Sequence, residues 1–355
     1  MTPKKQLIIK FAKKNELKKI QSFLKLNYKK NHTLSQNTKI FKWYYLKRKI
    51  NCTLALIKKK VVGIYLFIPL SQFDEKLYNY KQVFGSLWSI KGFNRHNNKN
   101  KNKDGGAIAL RFFDKTYEIL NPKLIIAVGI DSRLLNFHKI KKYNVFKLNH
   151  HFLISPYVKK YRVLKNVNNQ KLKKNNNNNL IIIIKKIDNI NNLKKLNIKN
   201  LFKEQLPLKS KTYLINRYLK DPSYKYHIYS ISKKKEICLC IFRVINFKKT
   251  NIIRIVDYIG KNNSFKNLNI FFLDILKTYK AEYLDFYNYG IPSKLLKQSG
   301  LIDKFDYKNI IIPNYFEPFV DKNIDIMCAF KKLGAVGNIR VFKADGDQDR
   351  SNLLK

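Results

Sequence analysis

The sequence predicts a mixed α/β protein made of two copies of one unit fused in tandem. Three observations carry that expectation. A chain of 355 residues, 45% of them hydrophobic, can fill two ordinary cores. Apolar runs of strand length alternate with stretches of helical periodicity. A series of landmarks also recurs once, in the same order.

Leu17-Lys18-Lys19-Ile20, after Leu7–Ile9, returns 176 residues later as Leu193-Lys194-Lys195-Leu196, after Ile181–Ile184. Tyr45-Leu46 returns as Tyr218-Leu219, and Lys58–Lys60 as Lys233–Lys235, displaced by 173 and 175 residues. Gly129-Ile130-Asp131-Ser132-Arg133-Leu134-Leu135 matches Gly290-Ile291-Pro292-Ser293-Lys294-Leu295-Leu296, displaced by only 161. The first copy must therefore carry about 14 extra residues, and Asn94–Asp104, which has no apolar residue, is a loop that can lengthen at little entropic cost. Asn166–Asn179, with five consecutive asparagines, reads as a linker. The expected division is a first unit over 1–165, the linker over 166–179, a second unit over 180–332 and a polar tail over 333–355.

Each element of the first copy has a local reason. Leu7–Phe11 is a short apolar strand, and Asn15–Leu26 is a helix with Asn15 at its cap or within its first turn. Thr38–Arg48 is a helix with Phe41, Tyr44 and Tyr45 on one face. Thr53–Ile57 and Val61–Pro69 form a hairpin whose solvated tip is Lys58–Lys60, and Val83–Ile90 is a strand with Trp88 as a core aromatic. Gly105-Gly106 precedes a helix over Ala107–Leu120. Leu124–Val128 is a strand, Ser132–Lys142 a helix and Lys147–Ile154 a final strand. The second copy runs Ile181–Ile184, Ile190–Phe202, Lys211–Leu219, Tyr226–Ile231, Ile237–Ile245, Ile252–Ile259, Phe265–Lys280, Tyr283–Tyr287 and Ser293–Gln298. This order builds a mixed sheet with a ligand crevice between central strands.

The net charge is +50. A polyanion partner would explain it, as would A/T-rich coding, which overuses Lys, Asn and Ile together. The lysines are spread along the whole chain, which favours the compositional account, although such a charge still attracts anionic ligands. Cys52, Cys238, Cys240 and Cys328 form neither a disulfide framework nor a zinc pattern, and Cys238 and Cys240 share one face of a strand. No segment approaches the ~20 apolar residues of a membrane span. A soluble, cytoplasmic, metal-free protein is expected.

In Asn102-Lys103-Asp104-Gly105-Gly106-Ala107, glycines at a helix start let backbone N–H groups approach a pyrophosphate, and Lys101 and Lys103 add charge. The order of elements and this turn resemble the GNAT superfamily of acyl-CoA-dependent N-acyltransferases, over both copies. The resemblance implies acetyl-CoA or another acyl-CoA as co-substrate, held by Ser89, Ile90, Lys101, Lys103, Gly105, Gly106 and Ala107. It also implies a backbone oxyanion donor around Ser89 or Ile90. The family's turn opens on a basic residue or Gln where this chain has Asn102. In the family, a helix Tyr five residues before the aromatic of a Gly-aromatic pair commonly protonates the leaving thiolate; here Lys142-Tyr143 takes the pair's place and His138 the acid's. In the second copy Gly300-Leu301 fills the pair and Leu296 the acid position. The implied arrangement is an active first unit with the second closing its cleft.

Leu148-Asn149-His150-His151-Phe152 places adjacent histidines on opposite faces of a strand. Tandem GNAT-like proteins of surface-polysaccharide biosynthesis are similar at Leu148-Asn149-His150 and at Asn31-His32. That resemblance implies His150 or His32 as general base or sugar contact, and an amino sugar or sugar nucleotide as acceptor. It extends to Phe342–Arg350, whose alternating carboxylates fail as an EF-hand because Arg350 stands where Gly is needed; a solvated tail that offsets basic charge or binds sugar hydroxyls remains. Two other functions stay open: a Fem-like peptidyltransferase using aminoacyl-tRNA, favoured by the charge, and a non-catalytic polyanion-binding scaffold.

Overall fold

The protein is described from a computed structural model, which covers residues 7–91, 103–167, 181–234, 236–313 and 320–350. The first half carries β1 (Leu7–Phe11), α1 (Leu17–Asn27), α2 (Thr33–Gln36), α3 (Thr38–Tyr45), β2 (Cys52–Ile57), β3 (Lys60–Pro69), β4 (Gln82–Ile90), α4 (Lys103–Leu120), β5 (Leu124–Val128), α5 (Leu135–Ile140), β6 (Asn144–Lys147) and β7 (Asn149–Ile154). The second half carries β8 (Ile183–Ile187), α6 (Ile190–Lys195), α7 (Lys211–Leu214), β9 (Tyr226–Lys233), β10 (Glu236–Phe247), β11 (Thr250–Ile259), α8 (Asn269–Thr278), β12 (Ala281–Tyr289), α9 (Ser293–Gln298), β13 (Ile302–Asp303), β14 (Met327–Lys332) and β15 (Val341–Phe342).

Local chemistry explains many of the boundaries. The Asn37 side chain accepts the Ile40 N–H at 3.0 Å and starts α3, and Ser210 does the same for Tyr213 in α7. Lys58 and Lys59 both have positive φ, as a two-residue turn between twisted strands requires. Of the two places expected for Asn15 the structure takes the second in modified form: Asn15 caps nothing and lies in a single 3-10 turn, Lys14–Glu16, that runs directly into α1.

The strands form two sheets, in the orders β1-β2-β3-β4-β5-β14-β6 and β8-β9-β10-β11-β12-β7-β13, with β15 against β12. In each, four antiparallel strands lead to one parallel pair, β4 with β5 and β11 with β12. The next position is exchanged between the halves. The segment β7 pairs antiparallel with β12 and β13, while β14 pairs antiparallel with β5 and β6. The predicted strand Lys147–Ile154 is thus two strands in two sheets. Its break falls at Leu148, whose N–H donates to the Ile326 carbonyl at 3.0 Å.

The two sheets share one core. Ile20, Leu24, Tyr44 and Tyr45 from the first half pack in the same cluster as Leu193, Tyr213, Ile228 and Val256 from the second. The outer faces are covered separately, by α4 with Phe112 and by α8 with Phe271, Phe272, Ile275 and Leu276. Each of these buried side chains contributes roughly 1.5–3 kcal/mol by removal from water. The predicted solvated tail is overturned: Arg340, Lys343, Asp345, Asp347 and Asp349 are each no more than 3% exposed. Burial is tolerated because each carboxylate meets partners, Lys209 for Asp345, Arg350 for Asp347 and Arg243 for Asp349.

Candidate active site

The parallel pairing of β4 with β5 lasts only from Gln82 to Gly85, opposite Leu124 to Ala127. At the same point the ladder between β3 and β4 slips. Tyr65 pairs with Trp88 and Phe67 with Gly85, so Ser86 and Leu87 together face Leu66. This is a β-bulge, which takes a residue out of the ladder and re-aims its backbone. The second sheet repeats it: Ile241 pairs with Asp257 and Phe242 with Ile255, which leaves Val256 as the extra residue.

The bulges differ in what lies beside them. In the second sheet the chain fills the crevice with itself. Val341 and Phe342 pair with Tyr289 and Asn288 on one side, and the Ala344 N–H donates to the Val256 carbonyl at 3.0 Å on the other. In the first sheet Ser86 remains partly exposed. Its Oγ lies 2.6 Å from Tyr45 Oη, which donates to Asp347 Oδ2 at 2.7 Å. Arg350 Nε donates to the same carboxylate oxygen at 2.6 Å, and the Arg350 guanidinium lies 3.1 Å from His32 Nε2.

The electrostatics fix the protonation of this chain. Burial opposes the Asp347 anion, but Arg350 and the hydrogen bond from Tyr45 hold the carboxyl below its ordinary value. Burial, reinforced by Asp347, pushes the Tyr45 phenol well up, so it keeps its proton. Burial and then Arg350 push His32 down to about 3. His32 is therefore a neutral ring whose Nδ1 caps α2 through the Leu34 N–H at 3.3 Å.

The histidines singled out from sequence do not converge. His32 follows α1. His138 is buried in α5, its Nδ1 2.8 Å from the Leu134 carbonyl oxygen and its ring edge-on to Phe113, Phe137 and Tyr143. His150 lies on β7, in the second sheet, stacked on Tyr287 at 4.0 Å with Nε2 3.4 Å from Asp285. It lines a cavity of about 400 Å³ with Asn149, Asp303, Lys304 and Asp325 beside the apolar Leu148, Phe305 and Ile324. That cavity is two residues from Met327, whose carbonyl accepts the Ile130 N–H just beyond β5. His151 faces the other way and is fully buried, 3.2 Å from Ser293 Oγ.

Among the expected cofactor residues, Ser89 and Ile90 end β4, both buried, and Ser89 Oγ has no hydrogen-bond partner among the described residues. The helix expected from Ala107 begins at Lys103 instead, so Lys103, Gly105, Gly106 and Ala107 lie in the first turns of α4, whose leading N–H groups lack intrahelical acceptors. Gly106 is exposed, and a Cβ there would meet nothing within 4 Å. Lys101 and most of the loop Asn94–Asp104 lie outside the described residues, as does most of the linker. Ser86 was not singled out from sequence, Tyr45 was read only as part of an apolar helix face, and Asp347 and Arg350 only as part of the acidic tail. One signal for the bulge was present, since Gly85-Ser86 interrupts an apolar strand and an interior strand glycine often marks one.

No protein-family model matches the chain, and no curated protein matches its sequence. Solved structures do match. A GCN5-related N-acetyltransferase from Anabaena variabilis superposes with a TM-score of 0.52 at 10% identity, over 93% of this chain and 73% of that one. A conserved protein of unknown function from Enterococcus faecalis, described as a probable N-acyltransferase, superposes with a TM-score of 0.54 at 12% identity, over 92% and 73%. With the bulged, splayed parallel pair present in both sheets, these matches give the chain the GNAT fold, in two units that exchange a strand.

Proposed function

We propose that the protein is an acyl-CoA-dependent N-acyltransferase whose first unit holds the thioester and whose acceptor is an amine on an amino sugar or sugar nucleotide of surface-polysaccharide biosynthesis. The observation that carries this reading is the contrast between the bulges. The one at Ser86–Leu87 includes a partly exposed residue, Ser86, whereas the one at Val256 is closed by the chain itself.

The residues present fit an acyl-CoA. The first turn of α4 presents N–H groups without intrahelical acceptors and the positive end of an 18-residue helix, which suit a pyrophosphate. Gly106 is exposed and open, although a glycine there costs the helix about 1 kcal/mol against alanine. Ser89 Oγ supplies an unused polar group beside the crevice. Ser89 and Ile90 stay in the ladder with Ile64 and Gly63, so we place the oxyanion donor earlier, at the bulge. His138 takes a packing role in this reading, and His32 holds Arg350. The cavity at His150, of about 400 Å³, mixes Asn149, Asn323 and charged side chains with Leu148, Phe305 and Ile324, a combination that can seat a sugar ring on its apolar face.

The test is free-thiol release from acetyl-CoA with a panel of amino sugars, amine-bearing sugar nucleotides and their hydroxyl analogues. Turnover confined to the amines is expected; no release with any amine would end the proposal. The charge of +50 favours a second reading, transfer from aminoacyl-tRNA. That reading requires tRNA binding that weakens steeply with salt and transfer from the charged tRNA.

A further inference from the structure

Tyr45 and Ser86 put two hydroxyls in contact at the edge of the shared core, and Asp347 reaches the Tyr45 hydroxyl from a segment 302 residues away in sequence. The phenol has one proton and gives it to Asp347. Ser86 must then direct its own proton inward, which leaves its lone pairs for a donor arriving from the exposed side. Ser86 is also one of the two bulge residues, so a carbonyl held by the bulge backbone lies beside its hydroxyl.

We infer that Ser86, Tyr45 and Asp347 form a proton relay that takes the proton of the attacking amine, with Ser86 the catalytic residue and Tyr45 and Asp347 positioned behind it. The inference rests on the acyltransfer reading and deepens it. The amine lone pair forms the C–N bond to the thioester carbon while the carbonyl π pair moves onto oxygen. The amine proton passes to Ser86 Oγ, the Ser86 proton to Tyr45 Oη, and the Tyr45 proton to Asp347 Oδ2. Collapse re-forms the carbonyl and expels the thiolate. The relay then runs backward, Ser86 protonates the sulfur, and amide plus free thiol leave with all three side chains as they began. Arg350 keeps Asp347 ionised between turnovers.

The test uses the full chain with acetyl-CoA and glucosamine as probes, comparing wild type with Tyr45→Phe, Ser86→Ala and Asp347→Asn. General acid–base groups of this kind supply about a hundredfold in rate. We expect Tyr45→Phe and Ser86→Ala to lower kcat by about that factor and to leave acetyl-CoA affinity within about twofold. The wild-type proton inventory in mixed light and heavy water should be bowed and become linear in Tyr45→Phe, a change that a packing role would not cause. Asp347→Asn should match Tyr45→Phe where it folds, and Tyr45→Phe stands alone if it does not. A folded Tyr45→Phe with unchanged kcat and an unchanged inventory overturns the relay while leaving acyltransfer standing. Failure of the wild type to bind acetyl-CoA overturns both.

Discussion

The Leu148 N–H donates to the Ile326 carbonyl at 3.0 Å, at the point where each half of the chain hands its next strand to the other. Without β14 the first sheet loses the strand between β5 and β6, and without β7 the second loses the one between β12 and β13. Open edges of this kind are aggregation templates. Fragments 1–167 and 181–355 should therefore each be insoluble or unfolded alone, yet form a soluble complex when co-expressed. Co-purification with a tag on one fragment and circular dichroism of the product would check this; a folded, monomeric 1–167 fragment would show that the exchange is dispensable.

Lys209 Nζ lies 2.7 Å from both carboxylate oxygens of Asp257 and 3.1 Å from Asp345, and all three side chains are buried. Lys209→Met leaves two carboxylates buried without their cation. Breaking such a cluster costs about 3–5 kcal/mol. Urea unfolding should show a loss of that size.

Gly85 enters the bulge against the Tyr65 hydroxyl, and a Cβ there would come within 2.3 Å of Tyr65 Oη. Gly85→Ala should destabilise by about 1–3 kcal/mol, as overpacked sites do. Removing the hydroxyl leaves the next ring atom at 3.4 Å, so Tyr65→Phe should rescue most of the loss in the double variant. A double-mutant cycle measured by denaturant unfolding gives the coupling, and additive effects would refute the contact.

His32, His138, His150, His151 and His227 all have lowered pKa values, with burial the largest cause in each. His32 goes down to about 3. Between its folded value and the unfolded value near ~6.5, such a ring binds more protons in the unfolded chain. Its stabilising contribution is therefore complete above about pH 6.5 and is lost as the pH falls toward 3, at up to ~1.4 kcal/mol per pH unit for each buried ring. The urea midpoint should drop between pH 7.5 and 5.5, and less so in His32→Gln. A midpoint that holds or rises on acidification would contradict this account.

Local pattern reveals an element but not its partner, and this divides what the sequence made legible from what it did not. Leu124–Val128 and Ser293–Gln298 were placed to the residue, because apolar runs and cap chemistry act over a few positions. The exchange of β7 and β14 was hidden, since alternation marks Asn149–Ile154 as a strand whichever sheet receives it. The short apolar run Met327–Phe330 was the only trace of β14. The last turns misled most. Asp345, Asp347 and Asp349 look solvated until Lys209, Arg350 and Arg243 are brought to them, two of these from more than 100 residues away. For the same reason the relay was invisible, Tyr45 reading as one more apolar face and Ser86 as strand.

The account depends most on one crevice being open and the other closed. Titrating acetyl-CoA into the full chain by calorimetry tests this directly, with Gly106→Asp alongside. The added carboxylate favours the helix N-terminus and meets no atom within 4 Å of its Cβ, so the fold should be unharmed while an anion is repelled. The expected result is one site per chain, weakened at least about tenfold in a fully stable Gly106→Asp. Two sites, no binding, or an affinity indifferent to the new charge would contradict it.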